Sequence, residues 1–208
     1  DKIKKDLDKY RVNFDVFTSE QSLYDRGLVD TVLNKLKNSG NCYINEGALW
    51  LKTSDYGDEK DRVLIKNDGN YTYLLPDIAY HINKIDRGFE ELIDVLGSDH
   101  HGYINRLKAS LEILGKDKDM LNIKILQMVR LIKDGEELKL SKRTGKTVTL
   151  IDLIDEVGVN ATRYFFASKS IDTQMDFDLD LALKQSNDNP VYYIEYANAR
   201  IASILRNY

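Results

Sequence analysis

The densest run of reactive side chains is Lys139-Leu140-Ser141-Lys142-Arg143-Thr144-Gly145-Lys146. Four cations in eight residues, set beside hydroxyls and a glycine, suit a phosphate group. Lysine offers a mobile point charge to a phosphate oxygen, and serine or backbone N–H groups add hydrogen bonds. Gly145-Lys146-Thr147 ends like a P-loop, but the first glycine of that motif would fall on Leu140, so the P-loop reading fails. A solvated charged turn would use the same residues.

A second cluster is Gly97-Ser98-Asp99-His100-His101-Gly102, which follows the apolar run Leu92–Leu96 and precedes a helical pattern. In open α/β sheets ligands sit at the carboxyl ends of strands. A carboxylate there accepts hydrogen bonds from ribose hydroxyls, and glycines let the backbone approach a ligand. Asp99 can equally cap the following helix. Asp99-His100-His101 also resembles the metal-binding motif of a phosphoesterase family. A metal site wants further ligands, and His81 is the one other histidine, although carboxylates are plentiful. A third set is Glu20, Tyr73 and Asp77, with Tyr73 and Asp77 four residues apart. Two carboxylates and a phenol suit a cationic group, although each acid taken singly reads as a favourable first-turn residue of a helix.

These clusters need elements to position them. Ser22–Lys37 has helical spacing at Leu23, Leu28, Val32, Leu33 and Leu36, with Gly40 as a stop. Cys42–Ile44 and Ala48–Leu51 read as strands. Val63–Lys66 and Tyr71–Leu74 read as a hairpin about Asn67-Asp68-Gly69-Asn70. A helix is expected over Asp77–Arg87, a buried strand over Leu92–Leu96, a helix over Tyr103–Leu114 and a strand over Ile123–Leu126. That β-α-β order implies a parallel sheet covered by helices. Val129–Ile132 and Leu138–Leu140 read as a second hairpin. Beyond Thr149 the pattern is helical over Leu150–Val157, Ala161–Ser168, Leu179–Ser186 and Val191–Asn207, with the clearest break at Asn187-Asp188-Asn189-Pro190.

The 208 residues are 42% hydrophobic and 31% charged, with a net charge of −4. That balance excludes a disordered chain and a uniformly basic nucleic-acid binder, but not a local basic patch. No apolar run is long enough to span a membrane, and Asp1-Lys2-Ile3-Lys4-Lys5 is no signal segment. One cysteine, Cys42, excludes an internal disulfide and makes a cytoplasmic setting the expectation. A chain that starts on Asp1 reads as part of something longer.

The motifs converge. Lys139-Leu140-Ser141-Lys142-Arg143 resembles the Lys-Met-Ser-Lys-Ser signature of class I aminoacyl-tRNA synthetases, with Leu for Met and Arg for the last Ser. Its company is more specific: Asp77-Ile78-Ala79-Tyr80-His81, Gly97–Tyr103, Val157–Phe166, Asp176–Asp180 and Asn189–Ile201. In this order, and over nearly all the chain from Asp15, these are similar to the arginyl-tRNA synthetases. The family often carries Gln and His where this chain has Glu195 and Asn198.

The resemblance implies an α/β, Rossmann-like class I catalytic domain, partial, over residues 1–186. Residues 187–208 would be the opening helix of an all-α anticodon-binding bundle. It implies an aminoacyl-tRNA ligase that activates arginine with ATP and passes it to tRNA, usually with tRNA needed for the first step. Glu20, Tyr73 and Asp77 would bind arginine. Gly97, Asp99, His100, His101, Met128 and Val129 would line the ATP site. Lys139, Ser141 and Lys142 would be catalytic, stabilising the triphosphate as the arginine carboxylate attacks, with Mg²⁺ accompanying ATP and no metal held by the protein alone. A cytoplasmic monomer without a membrane partner is expected. The His-Ile-Gly-His signature of class I enzymes is matched at none of His81, His100 and His101, so the isolated chain is expected to be inactive. The competing readings are the phosphoesterase and a non-catalytic nucleotide-binding module.

Overall fold

The computed structural model describes residues 2–138 and 148–207. The chain divides into two compact units, Val16–Leu126 and a second formed by the residues up to Asp15 together with those from Gln127 on. Helix α1 (Lys2–Lys9) belongs to the second.

In the Val16–Leu126 unit the expected long first helix is two helices, α2 (Glu20–Asp25) and α3 (Leu28–Asn38). The break is at Gly27, whose φ of +66° is left-handed, a conformation glycine adopts without steric cost. Val29, Val32, Leu33 and Leu36 of α3 are buried along one stripe. Strands β1 (Cys42–Asn45), β2 (Ala48–Leu51) and β3 (Arg62–Ile65) form an antiparallel sheet in that order. The expected hairpin after β3 keeps its turn, but its return arm is reduced to one bridge, Ile65 to Tyr71. The chain then enters α4 (Leu74–Asp86) three residues before the expected start. Leu74, Leu75, Ile78, Ala79 and Ile82 recur at helical spacing and sink into the core, which draws the helix back to Leu74.

Strand β4 (Leu92–Gly97), helix α5 (Tyr103–Ile113) and strand β5 (Leu121–Leu126) make the expected β-α-β unit, with β4 and β5 parallel from Leu92–Leu121 to Gly97–Leu126. The expectation of a buried β4 needs correction. Leu92 is buried, but Ile93 and Val95 are each 58% exposed. Alternate strand residues face opposite sides, so among the described residues one face of β4 is covered and the other is open. The core of this unit gathers Leu36, Leu51, Leu64, Leu75, Ile78, Leu111 and Leu121, all essentially fully buried.

In the second unit β6 (Val129–Lys133) and β7 (Glu136–Glu137) form a hairpin whose return strand comes before the expected arm at Leu138–Leu140, of which residues 139 and 140 lie outside the described residues. Helix α6 (Leu150–Val157) follows, started by a reciprocal cap in which the Thr149 hydroxyl accepts from the Asp152 N–H and the Asp152 carboxylate accepts from the Thr149 N–H. Then come α7 (Val159–Ala167) and β8 (Met175–Asp178), a strand the motif reading did not anticipate. It runs parallel to β6, with Met175 and Phe177 buried in alternation. Helix α8 (Leu179–Leu183) stops three residues short of expectation. The buried Asn189 side chain accounts for the stop, since it donates to the Ala182 and Lys184 carbonyls at 3.0 and 2.9 Å. Asn189 also caps α9 (Pro190–Arg206) by accepting from the Val191 N–H, and Pro190 takes the first-turn position expected for it.

Candidate functional site

Helix α4 has two chemically distinct faces. Leu75, Ile78, Ala79 and Ile82 are in the core, while Asp77, Tyr80, His81 and Lys84 fall at helical spacing on another stripe. That second stripe borders two cavities. One, of about 170 Å³, is lined by Thr18, Glu20, Leu23, Pro76, Asp77 and Tyr80. The other, of about 330 Å³, again has Asp77 and Tyr80 on its wall, with His81, Lys84, Asp94, His100 and Tyr103 among its further lining. Asp77 therefore stands where the two spaces meet.

Glu20 reaches the smaller cavity because α2 begins at it, anchored by the buried Leu23 one turn on. The Ser22 hydroxyl donates to the Ser19 carbonyl at 2.6 Å and tightens this first turn. Burial pushes the Asp77 carboxyl above its ordinary value; His81 opposes this, Glu20 and Asp94 add to the rise, and His100 opposes it weakly. A first-turn acid with no other duty would be stabilised as its anion by the helix dipole, so burial and neighbouring carboxylates outweigh the dipole here. The Tyr24 phenol is likewise raised by burial, then by Glu20 and Asp77. Desolvated acceptors of this kind discriminate: a guanidinium is a planar fork of five donors, and a cation that leaves an acceptor unpaired is rejected.

Tyr73 lies apart from this pair. It is the N-cap residue of α4, 78% exposed, and does not line the smaller cavity. His81, Asp94 and Lys84 were not among the anticipated site residues. The His81 ring is buried, with Nδ1 2.7 Å from the Asp77 carbonyl oxygen and Nε2 2.7 Å from Asp94 Oδ2. Lys84 Nζ donates to Asp94 Oδ1 at 2.8 Å and lies 4.6 Å from the centre of the Tyr80 ring. Two sequence signals pointed there. His81 and Lys84 follow Asp77 by one and two helical turns, and Asp94 interrupts an otherwise apolar strand, where an unpaired charge would be costly.

At the carboxyl end of β4, Gly97 leads into a short 3₁₀ turn over Ser98–His100. The φ of Gly97 is an ordinary −68°, so its conformation does not demand glycine. A Cβ built on Gly97 would lie 2.8 Å from Asp99 Oδ1, the free end of an exposed side chain that would have to move. Helix α5 has Gly102 as its N-cap and no side-chain capping bond, so Asp99 is not consumed as a cap. Its carboxylate is exposed, 3.7 Å from His100 Nε2. The His100 ring tilts against Tyr103 at 5.3 Å between centroids, and Arg106 lies over the Tyr103 ring at 4.6 Å. His101 is exposed. Met128 is exposed and Val129 half-buried at the start of β6, and both belong to the second compact unit. Lys139, Ser141 and Lys142 lie outside the described residues.

Among the described residues no three His, Cys, Asp or Glu side chains are grouped as a metal would require, and nothing supports the phosphoesterase reading of Asp99-His100-His101. No described helix is long and apolar enough to cross a membrane.

The model of the family "tRNA synthetases class I (R), catalytic domain" matches residues 1–187. Arginine–tRNA ligase of Bacillus licheniformis is 60% identical over 205 residues, 99% of this chain and 37% of that protein. Its Bacillus subtilis counterpart is 59% identical over 206 residues, with the same two shares. Among solved structures, a Campylobacter jejuni chain described as an arginyl-tRNA synthetase superposes with a TM-score of 0.90 at 44% identity, covering 99% of this chain and 44% of that one. Thermus thermophilus arginyl-tRNA synthetase has the same fold, with a TM-score of 0.75 at 20% identity over 98% of this chain and 44% of that one. The chain thus spans about 37% of the length of the curated relatives it matches.

Proposed function

From the premise that this chain belongs to the class I (R) tRNA synthetase catalytic-domain family, we propose that it supplies the arginine-recognising part and much of the ATP-binding part of an arginine–tRNA ligase. In that reaction an arginine carboxylate oxygen attacks the α-phosphorus of ATP. The bond to the pyrophosphate oxygen breaks, and arginyl-adenylate and pyrophosphate form. A terminal ribose hydroxyl of tRNA then attacks the activated carbonyl, loses its proton, and AMP departs.

The observation that carries this reading is the pairing of Glu20 and Asp77 around one cavity that abuts a second at the carboxyl end of β4. The smaller cavity receives the guanidinium between two carboxylates, and the larger one directs the amino acid toward the nucleotide. Asp99, exposed and uncapped, accepts from the ribose hydroxyls, with Gly97 and His100 alongside and His101 at the rim. Tyr73 closes on the arginine side chain from the helix start once substrate is present. Met128 and Val129 frame the adenine. Lys139, Ser141 and Lys142 hold the triphosphate, where charge develops in the transition state. Magnesium arrives as part of the ATP substrate and offsets phosphate charge. Residues 1–186 serve this catalytic, Rossmann-like domain, and residues 187–208 open the anticodon-binding bundle. The whole enzyme works as a cytoplasmic monomer with arginine, ATP and tRNA as its partners.

The test is amino-acid-dependent ATP–pyrophosphate exchange by a full-length synthetase carrying this sequence, with cognate tRNA present. Exchange with arginine and none with lysine is expected. Asp77→Ala should raise the arginine KM by at least about tenfold, since a hydrogen bond to a charged group is worth about 1.5–3 kcal/mol. Equal exchange with lysine, or an unchanged arginine KM in that variant, overturns the assignment.

A further inference from the structure

Asp77 is surrounded by a charge network that binding of a guanidinium does not by itself explain. A backbone carbonyl oxygen can only accept, and so can an ionised carboxylate. Burial pushes the Asp94 carboxyl up, but the hydrogen bonds and charges of His81 and Lys84 outweigh it and hold the group at about 2. Asp94 is therefore ionised at neutral pH. His81 Nδ1 faces the Asp77 carbonyl and Nε2 faces the Asp94 carboxylate, each at 2.7 Å. Both partners only accept, so the two contacts are satisfied together only by a ring that donates from both nitrogens.

Charge balance points the same way. Without a charge on His81, the carboxylates of Glu20, Asp77 and Asp94 would be opposed at this corner by Lys84 alone among the cations paired there. A charge on His81 would act on the Asp77 carboxyl more strongly than that of any other neighbour. Lys84 completes the clamp by taking the other oxygen of Asp94 at 2.8 Å, which fixes the orientation of the carboxylate that holds the ring.

We infer that His81, clamped as an imidazolium by Asp94 and Lys84, is a positioning residue for Asp77: it ties the first turn of α4 and supplies the buried positive charge that keeps the Asp77 carboxylate ionised for a guanidinium. The inference rests on the arginine site proposed above. It makes recognition of the substrate depend on a side chain that does not itself line the Glu20 cavity.

Asp77 already titrates above the ordinary carboxylate value. Removing the His81 charge raises it further, so arginine binding fails at a higher pH than in the parent protein. The titratable and charged groups facing Asp77 are Glu20 and Tyr24 of α2, His81 and Lys84 of α4, Asp94 of β4 and His100 of the following turn.

Two measurements on a full-length synthetase carrying this sequence test the inference. With nitrogen-15 histidine labelling, and His81→Gln to assign the signals, both His81 ring nitrogens should show bound protons at neutral pH; a ring with one bare nitrogen overturns the inference. In kinetics, His81→Gln should raise the arginine KM by a factor that grows as the pH falls, with the KM for ATP and kcat little changed, a shift of about one pKa unit being tenfold. His81→Lys, which keeps the charge, should recover part of the loss. A KM rise independent of pH, or equal losses in kcat and both KM values, would mark His81 as merely structural and overturn the inference. Asp77→Asn run alongside separates the failures. If it raises the arginine KM and His81→Gln does not, this inference alone falls; if it has no effect, the arginine site falls as well.

Discussion

Arg62 holds Asp58 with two parallel hydrogen bonds of 2.6 Å, Nε to Oδ2 and Nη2 to Oδ1, and the Asp58 side chain is only 1% exposed. The Glu59 N–H adds a third bond to the same carboxylate at 2.8 Å. This pair pins the loop after β2 to the start of β3. A buried ion pair adds little over well-packed apolar residues, but removing one partner strands the other charge and costs about 3–5 kcal/mol. Asp58→Ala should lower the stability of the protein by about that amount in urea titration. Burial pushes the Asp58 carboxyl up, but Arg62, Glu59 and Thr53 outweigh burial and leave it below the ordinary value. The pair's contribution is therefore complete above the unfolded carboxyl pKa and is lost as pH falls through the lower folded one. Asp58→Ala should flatten that acid limb; an unchanged limb and unchanged urea midpoint would refute the role.

Gly97 and Asp99 make a second prediction. A methyl group on Gly97 would meet Asp99 Oδ1 at 2.8 Å. The atom displaced is the free end of an exposed side chain, so folding should tolerate the change. The carboxylate, however, must swing away from the place proposed for the ribose. Gly97→Ala in a full-length synthetase should shift the melting temperature little and raise the KM for ATP by about tenfold, one charged hydrogen bond's worth. A large loss of melting temperature with normal ATP use would reverse that assignment.

Lys142 is predicted from sequence alone. Lys142→Ala should slow adenylate formation by about 100-fold or more, as removal of a transition-state donor does, with a much smaller effect on ATP affinity. Single-turnover kinetics separate the two. A pure affinity loss at constant turnover would reassign the lysine to ground-state binding.

The 208-residue polypeptide by itself should give no arginine-dependent ATP–pyrophosphate exchange, because none of its three histidines occupies a His-Ile-Gly-His context. Exchange at a rate near that of a full-length synthetase would show that these residues suffice.

What the sequence disclosed depended on how local the governing interaction was. Strands β1, β2 and β5, helices α5 and α6, and the cap at Asn189-Pro190 follow from periodicity and turn chemistry within a dozen residues, and each was found within two residues of its expected limits. The split at Gly27 was obscured because the apolar spacing continues across it, so periodicity alone joined α2 to α3. Strand β8 escaped notice because its pairing partner β6 lies more than forty residues away, with no hairpin turn to signal the pairing. At the site, Glu20 and Asp77 were legible through motif resemblance, and the structure brings them to one cavity. The His81–Asp94 contact links positions thirteen apart on a helix and a strand. Only the packing of α4 beside β4 makes it visible.

Helix α4 has one further consequence. Asp77 is flanked on the same helix by Leu75 and Ile78, both fully buried in the core. Core interiors transmit small volume changes to their neighbours rather than absorbing them. On the role proposed for Asp77, fidelity toward the amino acid and the heat resistance of the fold would be mechanically joined through a single turn of helix. Neutral drift at Leu75 or Ile78 would then be narrower than their aliphatic character suggests, because a methyl gained or lost there tilts the carboxylate proposed to tell one cation from another. A screen for stabilised variants that repacks this turn would be expected to return proteins that melt higher and misread their substrate.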